Sequence, residues 1–488
     1  MREFEFWFVV GSQHLYGPEV LKTVEERAAE MAEAMNSSGL LPCPLLFKGV
    51  GKTAQELTEL MKDANRDDRC IGIVTWCHTF SPSKMWTQGL ELLQKPWCHF
   101  ATQYNRSIPN EIDMDFMNLN QAAHGDREHG FIGARLRKSR KIIAGYWQDA
   151  PVVEELGAWM RSAAGAAISK TLRVIRFGDN MRNVAVTEGD KVEALIKLGW
   201  QIDYWPVGHL AETLNAVTEC EIDAKMNEYR ERYEFATDDM ETVRYQAREE
   251  IAIRKIMERE GARAFANNFE DLYGMKQLPG LASQNIMAEG MGYGAEGDWK
   301  LAALTAVVKA MGEGLPGGSG FMEDYTYDLN PGDETALGAH MLEVCPTLAS
   351  RRLRIEVHPL GIGGREPPAR LVFEGAPGAG IVVTIVDMGG RMRVIAQDIE
   401  CIKPILEMPN LPVARVMWKP MPDLLTGVKC WILAGGAHHS VLTTQVSAQM
   451  MEDWADLMGL EYVHIGKETT FEAMKEKLFL ADLAWKLR

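Results

Sequence analysis

The chain has 488 residues, 46% of them hydrophobic and 25% charged, an ordinary balance for a folded protein and enough length for about three domains. A net charge of −16 excludes a broad nucleic-acid surface, which needs a basic stripe, and no apolar run is long enough to span a bilayer. The opening MREFEFWFVVG reads as a buried first strand rather than an export signal, because its apolar run is short and begins after acidic residues.

Eight cysteines (Cys43, Cys70, Cys77, Cys98, Cys220, Cys345, Cys401 and Cys430) form no CxxC pair, and three sit in apolar runs. The pattern predicts free, buried thiols and a reduced, cytoplasmic protein.

Over the first 170 residues strands and helices alternate: strand over Phe4–Val10, helix over Pro18–Met35, strand over Leu45–Lys48, helix over Thr53–Asp63, strand over Ile71–Trp76, helix over Pro82–Leu93. Such alternation predicts βαβ units around a parallel sheet, with ligands gathering at the carboxyl ends of the strands. Polar groups fall there at Gly11–His14, Cys77–Phe80 and Thr102–Asn105. Helix capping accounts for the same residues equally well. Gly51-Lys52-Thr53 ends like a phosphate loop, but Leu46 stands where that loop needs a glycine. Next comes a polar stretch with His124 and His129. Five positions apart, they share a helical face less well than an i,i+4 pair does.

The pattern restarts near residue 170. Leu172–Phe177 and Gln201–Pro206 read as strands around a helix at Gly189–Leu198. A long, charged, solvated helical stretch covers Ile222–Arg259, and Ala262–Phe269 returns to strand. After about residue 315 short β-type runs dominate, at Arg352–Val357, Ala369–Phe373, Ile381–Val386, Met392–Ile395, Ala414–Trp418 and Cys430–Leu433. Helices near Thr444–Met458 and Phe471–Lys486 close the chain. The expected fold class is α/β: an N-terminal α/β domain over residues 1–170, a central α/β domain over 171–315, both Rossmann-like with parallel sheets, and a β-rich C-terminal domain with closing helices over 316–488.

Residues 289–345 concentrate the chemistry. Glu296 sits in the glycine loop Gly-Tyr-Gly-Ala-Glu-Gly, ahead of an amphipathic segment from Trp299 to Met311. Glu323 follows GGSGFM and alternates with Phe321, Tyr325 and Tyr327, as on a strand. His340 comes next. Two carboxylates and an imidazole on separate elements can converge on one divalent cation. In so acidic a chain, solvated surface carboxylates are the plainer account of most Asp and Glu residues. A fourth donor is available at His438 or His439, after Gly435-Gly436, and the residues alone do not choose between them.

The motifs GSQHLYG, HTFSPSKMW, AHGDREHGFIGARLR, GDNMR, FEDLYGMKQLPGL, GEGLPGGSGFMEDYTY, GAHMLEVCP, HPLGIGG and WILAGGAHHS occur in this order along the whole chain. Together they resemble the L-arabinose isomerase family. The resemblance implies a fucose-isomerase-type fold and metal ligands at Glu296, Glu323, His340 and His439. It implies substrate-facing positions at Gln13, Phe80, Gln121, His124, Met181, Phe269 and His438. It further implies conversion of L-arabinose to L-ribulose, with D-galactose to D-tagatose alongside, in a homo-oligomer, a hexamer, whose active sites are shared between subunits. Asp126 and His129, beside His124, depart from the expected pattern.

Aldose–ketose isomerisation needs a base near C2, an acid near the carbonyl and stabilisation of enolate-like charge, and no redox cofactor. Glu296 and Glu323 are the expected acid/base pair, through a cis-enediol, with a metal-assisted hydride shift as the other route. Two carboxylates and two imidazoles suit Mn²⁺, with Co²⁺ or Mg²⁺ as substitutes. Other readings are a different fucose-type sugar isomerase, a metal-dependent hydrolase or a non-catalytic sugar-binding protein.

Overall fold

The computed structural model describes residues 1 and 3–487, and the chain divides into two compact units, Met1–Ala167 and Ile168–Arg488. In the first unit, five parallel strands run in the order β2-β1-β3-β4-β5: β1 (Glu5–Gly11), β2 (Leu45–Gly51), β3 (Cys70–Cys77), β4 (Trp97–Ala101) and β5 (Lys141–Ala144). All seven residues of β1 and all eight of β3 are buried, as befits strands covered on both faces. Trp7 and Val9 pack on one face with Leu57 and Met61, while Phe6 meets Trp159 on the other.

The helices are α1 (Gly17–Ser37), α2 (Ala54–Arg66), α3 (Thr87–Leu92), α4 (Met114–Leu119), α5 (Ala122–Arg135) and α6 (Ala150–Ser169). Thr53 caps α2, its hydroxyl accepting from the Glu56 N–H at 3.2 Å. The single helix expected over Pro82–Leu93 is instead a 3-10 turn at Ser83–Trp86 followed by α3.

Among the described residues, the second unit contains three sheets. A parallel sheet runs β10-β9-β6-β7, from β6 (Arg173–Phe177), β7 (Gln201–Trp205), β9 (Ala264–Asn267) and β10 (Gly292–Gly294). A small sheet joins β8 (Glu234–Phe235) to β13 (Arg354–Val357) and β14 (Ala369–Val372). A larger, mostly antiparallel sheet runs β15-β18-β11-β12-β17-β16-β19, and a further β15–β16 pairing closes it into a barrel-like ring. Its members are β11 (Ser319–Asp328), β12 (Thr335–Ala339), β15 (Gly378–Asp387), β16 (Met392–Ile402), β17 (Arg415–Pro420), β18 (His439–Thr443) and β19 (Glu461–Ile465). The two parallel-sheet α/β layers and the β-rich C-terminal part are the fold class expected from the sequence.

The helices of this unit are α7 (Lys191–Leu198), α8 (Val207–Asn215), α9 (Glu219–Arg232), α10 (Met240–Glu260), α11 (Gly280–Ala288), α12 (Trp299–Met311), α13 (Leu424–Ala434), α14 (Ala448–Met458) and α15 (Phe471–Lys486).

Three expectations are corrected here. The charged stretch at Ile222–Arg259 is two helices, α9 and α10, broken around β8. It is not fully solvated either: α10 buries Gln246, Glu249 and Glu250. α12 is not amphipathic, because it lies against both the parallel sheet and the barrel-like sheet and is buried nearly all round. Its Lys300 is buried and satisfied by the carbonyls of Thr187 (2.8 Å) and Glu188 (2.6 Å). Cys430–Leu433 is no strand but the last part of α13. Asp423 caps that helix, accepting from the Thr426 N–H at 2.8 Å, and it ends at Gly435 in the left-handed conformation. Within the run only Cys430 and Trp431 join the buried stripe of Leu424, Gly427 and Ala434, at helical spacing, while Ile432 and Leu433 are exposed.

Candidate active site

The site assembles where the end of β10, the middle of β11, the end of β12 and the start of β18 meet. β10 runs into the turn Ala295-Glu296-Gly297-Asp298, and Asp298 caps α12 by accepting from the Leu301 N–H at 3.3 Å. Glu296 has φ +55, an uncommon conformation for a residue with a side chain, of the kind that collects at functional sites. Gly297 follows at φ +74, and a Cβ there would lie 2.5 Å from the Asp179 carbonyl. That close approach lets the Met181 N–H donate to the Glu296 carbonyl at 2.9 Å, tying the Gly178–Arg182 loop to the glutamate turn.

Strand register places the other donors. In β11, Glu323 is opposite Ala339 of β12 on one side and His439 of β18 on the other. His340 follows Ala339 directly. Phe321, two residues before Glu323 and on the same face, sets its ring edge-on to His340 (5.2 Å) and His439 (4.9 Å).

His340 Nε2 is 3.8 Å from Glu323 Oε2, and His439 Nε2 is 3.8 Å from Glu296 Oε2. His438, partly exposed, reaches the same Glu296 oxygen at 3.5 Å. Donor atoms of Glu296, His340 and His439 lie within 4.8 Å of one another, as do those of Glu323, His438 and His439. The two trios share His439.

Two carboxylates orient the imidazoles from behind. His439 Nδ1 is 3.2 Å from Asp298 Oδ2, and His340 Nδ1 is 2.5 Å from Glu343 Oε2. In each case the bond at Nδ1 turns Nε2 toward the centre of the cluster, the arrangement that carboxylates give to metal-binding histidines. The Tyr293 hydroxyl donates to Glu343 Oε1 at 3.0 Å. Sequence reasoning gave Asp298 and Glu343 no role. Their signals were the two-residue offset of Asp298 from Glu296 and the one-turn spacing of Glu343 from His340. Helix capping alone explains an aspartate at the first of these.

Burial would raise the Glu296 carboxyl, but the His438 imidazole 3.5 Å away and the neighbouring His439 and His340 outweigh it and hold it below the usual range. Burial likewise opposes ionisation of Asp298, and Lys300 and His439 overcome it. Burial keeps His439 below its usual value, so its Nε2 lone pair is free. Burial also pulls His340 down, yet Glu343 above all, then Glu323 and Glu296, lift it to about 9.

Glu296 Oε2 and His439 Nε2 are buried and have no hydrogen-bond partner. Unpaired buried polar atoms are costly, and here an oxygen and a nitrogen donor face the same space. Together with Glu323 and His340 they form an O/N set suited to a divalent cation of the Mn²⁺, Co²⁺ or Mg²⁺ kind.

A cavity of about 280 Å³ opens beside this cluster, lined by Glu296, Glu323, His340 and Glu343 and by Met181, Phe269, Tyr293 and Tyr325. It lies just below the ~300–1,000 Å³ typical of ligand sites, a size for a small polar molecule. Met181 and Phe269, singled out from the sequence, therefore border it.

The remaining predicted residues gather in the first unit, among themselves. Gln13 Nε2 donates to the Phe80 carbonyl at 3.1 Å, and His124 stacks on Phe80 with ring centroids 4.1 Å apart. Gln121 accepts from the Tyr16 hydroxyl at 3.2 Å. All sit at the carboxyl ends of β1 and β3 or at the start of α5, where a parallel sheet presents its ligands.

Fold and site together define an α/β enzyme built around a carboxylate pair set among imidazoles. Family models described as the L-arabinose isomerase N-terminal, central and C-terminal domains match residues 1–171, 173–314 and 318–461. The chain is 50% identical over 490 residues to the L-arabinose isomerase of Thermotoga petrophila, covering 100% of this chain and 99% of that protein. It is 50% identical over 488 residues to that of Clostridium beijerinckii, and 49% over 495 residues to that of Geobacillus stearothermophilus, with the same coverage. The chain belongs to the L-arabinose isomerase family, and it is an isomerase.

Proposed function

We propose that this enzyme converts L-arabinose to L-ribulose, and D-galactose to D-tagatose, at the Glu296/Glu323/His340/His439 cluster. The supporting observation is the pair of buried, unpartnered atoms, Glu296 Oε2 and His439 Nε2, beside a cavity of about 280 Å³. A bound divalent ion, Mn²⁺ in the first place, would act there as a Lewis acid on the sugar oxygens.

The chain's own residues do the rest. Glu296, held ionised by its histidines, accepts a proton. Glu323, across the cluster, is the other member of the pair, so that one carboxylate removes the C2 proton and the pair returns it at C1 through a cis-enediol. Asp298 and Glu343 keep His439 and His340 aimed inward. Met181 and Phe269, which line the cavity, supply apolar walls that limit water at the reacting carbons.

Gln13, Phe80, Gln121 and His124 form a second polar patch in a unit that contains none of the four cluster residues. We propose that they contact the sugar bound at a neighbouring subunit, within a homo-hexamer acting in the cytoplasm. The direct test is a ketose assay on L-arabinose with chelated protein and with protein restored by Mn²⁺. Activity should vanish on chelation and return with the ion. Absence of ketose in both states would defeat the proposal.

A further inference from the structure

Helix α5 carries Gln121 as its N-cap and His124 in its first turn, yet it grips the sheet in an unusual way. Its buried face is Ala122, Gly125, His129 and Gly133. A helix on a sheet is ordinarily held by large apolar side chains; none of these fully buried residues is one, and half-buried Ile132, near the far end of α5, packs against the core cluster that includes Trp86, Leu90 and Trp97. The two glycines bring the backbone close: a Cβ on Gly125 would lie 2.7 Å from the Cys77 Cβ, and one on Gly133 3.0 Å from the Trp97 ring. The first turns of α5, which carry Gln121 and His124, therefore have no large apolar anchor against sliding or rotation.

Directional bonds do that work instead. His129 is fully buried, with its ring edge-on to Trp86 (4.7 Å), Trp97 (5.4 Å) and His99 (4.8 Å). Its Nε2 lies 3.0 Å from Thr75 Oγ1 of β3, and its Nδ1 lies 3.4 Å from Ser83 Oγ. Trp97 Nε1 donates to the same Thr75 oxygen at 2.9 Å, which leaves the threonine hydroxyl proton for His129 Nε2 or the Cys98 carbonyl. The Ser83 N–H donates to Glu128 of α5. One turn earlier, Asp126 Oδ1 accepts from His99 Nε2 of β4 at 2.8 Å. His99 Nδ1 is buried without a partner, which leaves the proton on the nitrogen facing Asp126.

These bonds run from α5 to β3, to β4 and to the Ser81–Ser83 segment that follows Phe80. They therefore fix the helix bearing His124 against the loop bearing Phe80, whose rings stack at 4.1 Å. The same loop is tied to the end of β1, through Ser12 Oγ to Thr79 Oγ1 at 2.7 Å and Gln13 to the Phe80 carbonyl.

We infer that Asp126 and His129 are positioning residues for the His124–Phe80 pair, setting the angle at which α5 presents Gln121 and His124 to the sugar. The inference rests on the proposed sugar contact of those residues. Neither Asp126 nor His129 touches the sugar.

The test uses the full-length, Mn²⁺-loaded enzyme, three single variants and one double variant. His129→Phe keeps a ring among Trp86, Trp97 and His99 and removes both bonds. Asp126→Ala removes the carboxylate, and Asp126→Asn keeps an acceptor for His99. In the double variant Asp126→Ala/His129→Phe, KM for L-arabinose should rise at least ~10-fold with kcat little changed; a misplacement of about 1 Å can cost up to ~10²-fold. Asp126→Asn should restore KM to near the wild-type value, and the rise in Tm on adding Mn²⁺ should be unchanged throughout. If the double variant does not fold, His129→Phe alone carries the test.

A second readout needs no turnover. Diethylpyrocarbonate should modify His124 faster in the variants, because its stack on Phe80 loosens, as read by peptide mass spectrometry. Wild-type KM together with wild-type His124 reactivity in the variants overturns the inference. A wild-type enzyme that makes no ketose defeats the proposed function instead, and the His124 reactivity still decides the positioning role.

Discussion

Glu323 and His439 are direct partners across the antiparallel β11–β18 ladder, so both side chains leave the sheet on one face. Phe321 lies beneath them on that same face, and β12 on the other side of β11 delivers His340. Strand register therefore sets the spacing of Glu323 and His439, and β12 delivers His340 as the first residue beyond its end. Sites built on strands hold their geometry better than sites built on loops.

The orienting carboxylates yield the first prediction. Asp298 uses Oδ1 to cap α12 and Oδ2 to hold His439 Nδ1. Asp298→Asn can keep the cap through its one oxygen but then presents an N–H to His439. Mn²⁺ affinity of the chelated protein, measured by calorimetric titration, should fall ~10–100-fold, the usual cost of losing such a partner. His340→Asn should reduce it further, since a donor itself is lost. In wild type, Mn²⁺ at 100 times its Kd should add about 2.7 kcal/mol of stability and raise Tm. Unchanged affinity in Asp298→Asn would remove Asp298 from this role.

Acid should loosen the first unit through His78. This imidazole is buried against Trp76, with ring centroids 4.6 Å apart, and its Nε2 lies 3.3 Å from Arg27 Nη1. A guanidinium only donates, so Nε2 must accept and the ring must be neutral. Burial, with a further push from Arg27, lowers His78 from 6.5 to about 4. The unfolded chain thus takes up a proton that the folded one refuses between those two values. The contribution is complete above pH 6.5 and is lost as pH falls toward 4, amounting to roughly 3 kcal/mol. His78→Gln keeps an acceptor for Arg27 and does not titrate. Its unfolding free energy, followed by tryptophan fluorescence, should depend less on pH across that window; a profile as steep as wild type would exclude His78 as the source.

Much of this fold is legible in the chain because parallel strands covered on both faces must be continuous apolar runs, and β1 and β3 are. Glu296 and Glu323 stand out because a glycine loop flanks one and alternating aromatics flank the other. The apolar run Cys430–Leu433 deceives because four or five apolar residues fit a strand and a buried helix stripe alike. Asp423 and Gly435, at the two ends of α13, were the better guides. The part of Asp298 was hidden for another reason. Asp298 orients an imidazole 141 positions away, brought to it only by tertiary pairings such as β11 with β18, whereas Glu343 lies three residues from His340 and its spacing was a local signal.

Separate placement of the two polar groups gives a test of subunit sharing. Glu296→Gln protein and His124→Ala protein should each be nearly inactive. If a sugar site combines one subunit's cluster with its neighbour's first unit, mixed oligomers contain some sites with neither lesion. Unfolding and refolding the two together should therefore recover a fraction of wild-type ketose formation. A mixture no more active than the sum of its parts, or a fully active monomer by sedimentation, would sink the idea.

The two glutamates carry the sharpest prediction, because one residue can be both a ligand and an acid/base. Glu→Gln preserves shape and one acceptor oxygen but takes up no proton at neutral pH. Glu323→Gln should still bind Mn²⁺, more weakly, while kcat falls by the ~10²–10⁴-fold typical of losing general acid–base catalysis. Glu296→Gln should behave likewise. The two losses should not multiply in the double variant, since groups acting as one unit are non-additive. The solvent supplies an independent reading. A cis-enediol lets the abstracted proton exchange while it resides on a carboxylate, so deuterium from D₂O should enter the ketose at C1. A hydride shift from C2 to C1 bypasses the carboxylates and leaves almost none. Deuterium-free product, together with a metal-saturated Glu323→Gln enzyme turning over within a few-fold of wild type, would show that Glu323 only holds the ion and that the hydrogen passes directly between the carbons.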